Sequence, residues 1–298
     1  MVAANRQPLW APVTVSFYKM TGSGNDFVFL DGRTHAVADW SASEIAAICD
    51  RRTGVGGDGL VVATPEGADG VRMVYFNADG SRAGMCGNAA LCTTRLAARL
   101  GIAPGSGMQL HSDTGILRTR CVGPGWGAEL LLPDFSFPEP VMLPLAAHER
   151  WMVLCTVGVP HLIVLVDDLA AVDVIGRGKE LRRDPTFAPG GLNVNFVGPN
   201  ARTGDAAWGL RTYERGVEDE TLACGTGTVG AAFALAMRGH AVLPVRIASW
   251  GGNIYSVAGR LEGTMAREPW LCGEGRLVFE GTWPGTDPVS HIAVTTDS

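Results

Sequence analysis

Two segments of this chain open with the same dipeptide in the same setting. "CGNAALCTTRLAARLG" runs from Cys86 to Gly101, and "CGTGTVGAAFALAMRG" from Cys224 to Gly239. Each begins Cys-Gly, continues as an alanine-rich helical run and ends on a glycine placed as a helix C-cap. Ahead of each cysteine lies a β-like run, "VRMVYF" or "GLRTYE", then a turn containing glycine and acidic residues, "ADGSRAGM" or "GVEDETLA". A cysteine there meets the unpaired N–H groups and the positive dipole end of the following helix, which favour its thiolate and lower its pKa. The same N–H groups suit a carboxylate, and the small residues after each cysteine let a ligand approach the backbone closely. Two such thiols facing one carbon from opposite sides can remove a proton on one face and return it on the other. That is inversion of a stereocentre, carried out by a thiolate and a thiol that titrate as a pair.

Other chemistries fit the residues less well. Gly225, Gly227 and Gly230 satisfy G-x-G-x-x-G, but a dinucleotide site also needs an acidic residue about 20 positions further on. None occurs from Thr221 to Leu261. A pyridoxal-phosphate enzyme needs a Schiff-base lysine, and only Lys19 and Lys179 are present, against 22 arginines. The six histidines show no H-x-H or H-x-x-x-H spacing and there is no C-x-x-C, so no metal site is expected from close neighbours. The expectation is an enzyme without a cofactor.

These cysteines need a scaffold that brings two similar units face to face, and the rest of the chain reads that way. Runs rich in Val, Ile, Phe and Tyr, bounded by turn residues, predict strands over 13–20, 59–64, 71–76, 116–122, 151–157, 161–168, 193–198, 209–214, 245–250 and 276–281. Helical patterns are few: "SASEIAAICDRR", which has Ser41 and Glu44 in capping-box spacing, and the two runs after Cys86 and Cys224. The proline-rich stretch 131–145 reads as the linker between halves. At 46% hydrophobic and 18% charged residues the chain has the composition of a globular protein. A net charge of −6 with no basic run argues against nucleic acid, and no apolar run approaches a membrane span. Seven widely spaced cysteines and an N-terminus without a signal-peptide pattern point to free thiols in a cytoplasmic enzyme.

With these motifs in order, the chain resembles the diaminopimelate epimerase family from Phe17 to about Trp283. The resemblance rests on "KMTGSGNDFVFLD", "RRTGVGGDGL", "NADGSRAGMCGNAALC", "GVPH", "NVNF" and "YERGVEDETLACGTG". It implies an α+β fold of two pseudo-symmetric halves, each a curled, mostly antiparallel, barrel-like sheet around a central helix, with the active site between them. The halves are expected at 12–135 plus about 276–298, carrying Cys86, and at 136–275, carrying Cys224. The implied reaction inverts LL-diaminopimelate to the meso form for lysine and cell-wall precursor synthesis. Carried over by position, Cys86 looks like the proton donor and Cys224 the acceptor. His161 and Glu214 fall where the family tunes that chemistry. Asn25, Asn77, Gly87, Asn88, Asn193, Glu214, Arg215, Gly225 and Thr226 fall where it holds substrate. The implied partner is a small-molecule amino-acid substrate, with no nucleic acid and no membrane; a homodimer is left open.

Four positions depart from the family pattern. Val159 stands where members often have Asn, Gly59 where many carry Gln, Leu91 where Arg is frequent, and "VEDET" lengthens a turn. The first two bear on recognition of the distal amino-acid group, so a racemase for another amino acid such as histidine is the alternative on the same fold. Taken without the resemblance, His161 reads as a structural histidine, Asn77 as turn chemistry and Glu214–Arg215 as a surface pair. Cys49, Cys92, Cys121, Cys155 and Cys272 read as small core hydrophobes.

Overall fold

The computed structural model describes residues 14–136, 139–200, 206–262 and 265–285; the expected termini beyond 14 and 285 lie outside them. The first series of elements is β1 (Val15–Gly22), β2 (Asn25–Asp31), α1 (Ala42–Cys49), β3 (Gly59–Glu66), β4 (Gly70–Asn77), β5 (Arg82–Ala83), α2 (Gly87–Arg99), β6 (Met108–Ser112), β7 (Gly115–Val122) and β8 (Gly127–Leu131). Short strands β9 (Phe135–Ser136) and β10 (Glu139–Pro140) follow within the proline-rich stretch. The second series is β11 (Glu149–Val157), β12 (Val159–Val166), α3 (Val174–Arg182), β13 (Asn193–Pro199), β14 (Trp208–Glu214), β15 (Asp219–Thr221), α4 (Gly225–Met237), β16 (Val245–Ser249), β17 (Ile254–Glu262) and β18 (Met265–Glu274). The last strand, β19 (Arg276–Trp283), returns to the first series and pairs antiparallel with β1.

The two series repeat each other pairing for pairing. β1–β2 is antiparallel, β2–β3 parallel, β3–β4 antiparallel, β4–β6 parallel, and β6–β7 and β7–β8 antiparallel. β11–β12, β12–β13, β13–β14, β14–β16, β16–β17 and β17–β18 follow the same order of senses. β18 also pairs antiparallel with β8, the last strand of the first series, and this ladder joins the two units. Register makes the equivalence residue-specific. Phe27 pairs with Gly59 as His161 pairs with Asn193, and Tyr75 pairs with Val61 as Thr212 pairs with Asn195. By the same rule Val159 is the counterpart of Asn25, and Tyr255, opposite Ile247, is the counterpart of Leu117, opposite Leu110.

Each central helix is enclosed by its own sheet. From Gly227 to Leu235 every residue of α4 is buried, as is Asn88 to Thr94 of α2. An apolar helix of this kind is stable only inside a protein. The buried hydroxyls of Thr93, Thr94 and Thr228 donate to carbonyls four residues back, Ala89, Ala90 and Cys224, at 2.7–2.8 Å, so their polarity is satisfied locally. One continuous core takes in residues of both helices, while α1 and α3 each cover the outer face of one unit over a separate core. Ser41 and Glu44 form the expected capping box at α1. Helix α3 and the strands β2, β6, β8, β17 and β18, with the short β5, β9, β10 and β15, lie outside the runs that residue pattern alone marks.

Candidate active site

Cys86 is the N-cap of α2 and Cys224 the N-cap of α4, both with extended backbone (φ −138° and −134°). Extended geometry at the N-cap is what turns a strand-borne turn into a helix start, and it leaves each sulfur beside the first free N–H groups. Those of Asn88 and Ala89 act on the Cys86 sulfur; Gly227 N–H and the Thr226 hydroxyl act on Cys224. Cys86 is partly exposed and Cys224 buried. A Cβ at Gly87 would meet nothing within 4 Å, so the backbone after Cys86 is open to a ligand. Both thiols share two further neighbours. The Glu214 carboxylate pushes both thiols up, and the Tyr255 phenol feels the charge of both.

The expected lowering of the thiol pKa values is corrected by the structure. The helix N–H groups do pull both thiols down, but burial outweighs them, and Glu214 adds to the burial effect. Cys224 is pushed up to about 12, and Cys86 also moves up. Sequence supplies the helix dipole and cannot supply the dry surroundings or the carboxylate of Glu214, whose charge reaches both sulfurs.

Below Cys224 lies a polar network. The Thr212 hydroxyl donates to Asn195 Oδ1 (2.9 Å), and Asn195 Nδ2 meets His161 Nδ1 (3.1 Å). Because Thr212 claims the Asn195 oxygen, the amide presents its N–H to the ring and His161 Nδ1 accepts. The ring proton is then on Nε2, which is buried without a partner among the described residues. Burial, with the Arg215 guanidinium, lowers His161 to about 4, so the ring is neutral at physiological pH. His161 is inside β12, fully buried, and not at a strand start. Asn195 Oδ1 also occupies the space of a side chain at Gly227, whose Cβ would lie 3.2 Å from Cys224 Sγ.

The Cys86 side has a different network. Asn88 Nδ2 donates to Asn25 Oδ1 (2.7 Å), Asn25 Nδ2 to Asp58 Oδ2 (2.9 Å), and Arg51 Nη2 to Asp58 Oδ1 (2.7 Å). Asn88 Oδ1 accepts from the Tyr255 hydroxyl at 2.9 Å. Asn193 Oδ1 receives the backbone N–H of Arg215 (2.8 Å), Arg215 Nη1 reaches Gly191 O (3.3 Å), and Glu214 Oε2 accepts from Thr221 (2.7 Å). Glu214 and Arg215 are thus each tied to other groups. Asn77 closes β4 and donates from Nδ2 to Ser81 Oγ (2.9 Å) within its turn, so turn chemistry is one of its roles. Gly225 and Thr226 open α4 beside Cys224. Of the other cysteines, Cys49, Cys92 and Cys155 are buried, whereas Cys121 and Cys272 are partly exposed.

Sequence reasoning missed Tyr255, Asn195, Thr212, Asp58 and Tyr75. The Tyr75 ring lies 2.6 Å from where a Cβ at Gly59 would be, filling the space a longer residue there would need. "NVNF" carried Asn195 as visibly as Asn193, but nothing local distinguishes a network residue from a ladder residue. Among the described residues, no group of three or more His, Cys, Asp or Glu could hold a metal ion, and no helix is long and apolar enough to cross a membrane.

The family model for diaminopimelate epimerase matches residues 17–125 and 153–258, one stretch in each repeated series. The chain belongs to the diaminopimelate epimerase family. A diaminopimelate epimerase of Gemmatimonas aurantiaca is 44% identical over 282 residues, covering 91% of this chain and all of the relative. Those of Chlorobaculum tepidum and Aquifex aeolicus are 37% and 34% identical, covering 88% and 90% of this chain and 99% and 97% of the relatives. Among solved structures, a phenazine biosynthesis protein of the PhzF family from Bacillus anthracis superposes with a TM-score of 0.66 at 13% identity, over 91% of this chain and 99% of its own. A probable proline racemase from Agrobacterium radiobacter gives 0.60 at 18%, over 93% and 94%. These two likenesses establish the α+β fold alone.

Proposed function

We propose that this chain inverts the α-carbon of LL-diaminopimelate to give the meso form, without a cofactor, as an isomerase of lysine and cell-wall precursor synthesis. The observation that carries the mechanism is the placement of Cys86 and Cys224 at the starts of two matching helices, with the Glu214 carboxylate acting on both thiols and the Tyr255 phenol within reach of both. In the forward direction the Cys224 thiolate takes the α-proton and the Cys86 thiol delivers a proton to the opposite face, leaving a Cys224 thiol and a Cys86 thiolate. The N–H groups at both helix starts, those of Gly87, Asn88, Gly225 and Thr226, hold the α-carboxylate and stabilise the charge that develops on it. Asn25, Asn77, Asn193 and Arg215 hold the distal amino-acid group, Arg215 by the guanidinium fork suited to a carboxylate. Glu214 and neutral His161 set the charge around the thiols. The two units then act as halves, 12–135 with 276–298 and 136–275; the return of β19 to β1 supports that division. Free thiols at all seven cysteines fit a cytoplasmic setting.

The test is α-proton exchange in heavy water with wild type, Cys86→Ala and Cys224→Ala. Wild type should incorporate solvent deuterium into diaminopimelate and interconvert its isomers. Each single variant should lose turnover by about a hundred- to ten-thousand-fold, the usual worth of a positioned acid or base. A Cys86→Ala protein that turns over normally would sink the two-thiol mechanism. Exchange with histidine or another amino acid, but none with diaminopimelate, would establish the racemase reading that Val159 and Gly59 favour.

A further inference from the structure

We infer that Tyr255, contributed by the second series, is a positioning residue for the asparagines on the Cys86 side. It orients the Asn88 amide directly and the Asn25 amide through it. The inference deepens the proposed function, because it rests on Asn25 and Asn88 touching substrate.

Tyr255 is fully buried in β17, and its hydroxyl crosses to the first series, where it meets Asn88 Oδ1 (2.9 Å) and the Ser23 carbonyl (3.3 Å). One phenol proton cannot serve both acceptors fully, and the far end of the chain of bonds decides which it serves. Asp58 offers only acceptor oxygens, so Asn25 must face it with its Nδ2. Asn25 then presents Oδ1 to Asn88, which must answer with its own Nδ2. The Asn88 oxygen is left facing Tyr255, and the phenol proton must go to it. The bonds run in one direction: Tyr255 to Asn88 to Asn25 to Asp58, with Arg51 closing the far end. Reversing either amide would set two acceptors or two donors against each other.

The bond is not a product of the repeat. The counterpart of Tyr255 is Leu117, which has no hydroxyl, so that position of the first series offers no matching bond to the start of α4. Burial keeps the phenol protonated, raising its pKa, and the charges of both thiols add to that effect. Ser23 gives the hydroxyl its second neighbour from a left-handed conformation (φ 47°), and its own Oγ accepts from the Glu274 backbone N–H of β18 (3.2 Å). The turn between β1 and β2, which leads into Asn25, is therefore docked on the second series at two points.

Tyr255→Phe removes the oxygen and keeps the ring. Two measurements test the inference. The first is the side-chain amide NMR of selectively labelled wild type and Tyr255→Phe, assigned with Asn25 and Asn88 variants. Amide signals of both Asn88 and Asn25 should shift, although Tyr255 does not touch Asn25. An unmoved Asn25 amide overturns the relay, and this readout needs no substrate. The second is kcat/KM for diaminopimelate in a double-mutant cycle with Asn88→Ala. Tyr255→Phe should cost roughly tenfold alone, the order expected when a buried acceptor loses its donor, and less than about threefold on top of Asn88→Ala. A merely structural tyrosine would cost the same in both backgrounds, and that result also overturns the inference. If wild type proves inactive on diaminopimelate, the functional reading fails and the amide spectra still decide the relay.

Discussion

At the scale of the residue, the resting enzyme holds its thiols in the protonated form. Burial pushes the Cys224 thiol up to about 12, so at pH 7 the proton stays on sulfur. Helix N-termini alone do not make a reactive thiolate when burial and the Glu214 carboxylate oppose them. Under the proposed function the missing positive charge would be supplied by the α-ammonium of the substrate. Because both pKa values are raised, the thiolate population of the free protein grows as pH climbs toward them. Alkylation of Cys224 by iodoacetamide should accelerate about tenfold per pH unit from 7 to 10 without levelling off, and that of Cys86 should still be rising at pH 8. Peptide mapping with mass spectrometry reads each site separately; a plateau below pH 8 at either one would contradict the assignment. Glu214→Gln removes a like charge from both sulfurs, so it should speed alkylation several-fold at fixed pH. The same change should slow turnover, since it also strips the cleft of a group that sets its charge. Faster alkylation with slower turnover separates electrostatic tuning from simple loss of structure.

At the scale of the element, the repeat is near-complete in topology and broken where the chemistry differs. Phe27, Val61, Tyr75 and Ala89 in the first series are replaced in the second by His161, Asn195, Thr212 and Gly227. The first set is apolar packing, including a T-shaped Phe27–Tyr75 pair at 5.9 Å. The second is the polar network under Cys224, and Gly227 is small because the Asn195 amide takes the room that a methyl has at Ala89. Gly227→Ala should therefore destabilise the protein by roughly 1–3 kcal/mol, the usual cost of overpacking, and lower kcat/KM by displacing Asn195. Urea denaturation and steady-state kinetics check both; unchanged stability would mean that the amide is not held where the register puts it. The strand–turn–Cys-Gly–helix unit was legible in sequence because every signal in it is local: a β-rich run, turn residues, small residues after the cysteine, a C-cap glycine. The residues around the thiols were not. Tyr255 and Asn88 are 167 positions apart, and only the pairing of β16 with β17 aims that phenol across the interface. Likewise β17 and β18 carry Arg260, Glu262, Arg267 and Glu268 among their apolar residues, so neither forms a continuous β-rich run. Strand β19 stood out by the contiguous Leu277, Val278 and Phe279.

At the scale of the whole molecule, two units that look like separate domains are bound together by more than a linker. β8 and β18 pair over Gly127–Leu131 and Trp270–Glu274, so the sheets share a hydrogen-bonded ladder. The core around α2 continues into the core around α4. β19 carries the end of the chain back to β1, so the second series is enclosed in sequence by strands of the first. Ser23, fully buried, adds a side-chain bond across the seam. Neither unit can unfold without exposing the apolar face of the other and breaking backbone bonds in it. The expected behaviour is one cooperative thermal transition for the 298-residue chain, with a calorimetric enthalpy of roughly 200 kcal/mol near 60 °C. The van't Hoff enthalpy should agree with it, the criterion for a single cooperative unit. Two independently melting halves would instead give a van't Hoff value near half the calorimetric one, or two resolved peaks. Scanning calorimetry of the reduced protein distinguishes these cases. A split transition would show that the β8–β18 ladder is too weak to hold the thiols in one rigid frame, and the cleft would then have to be assembled by the substrate.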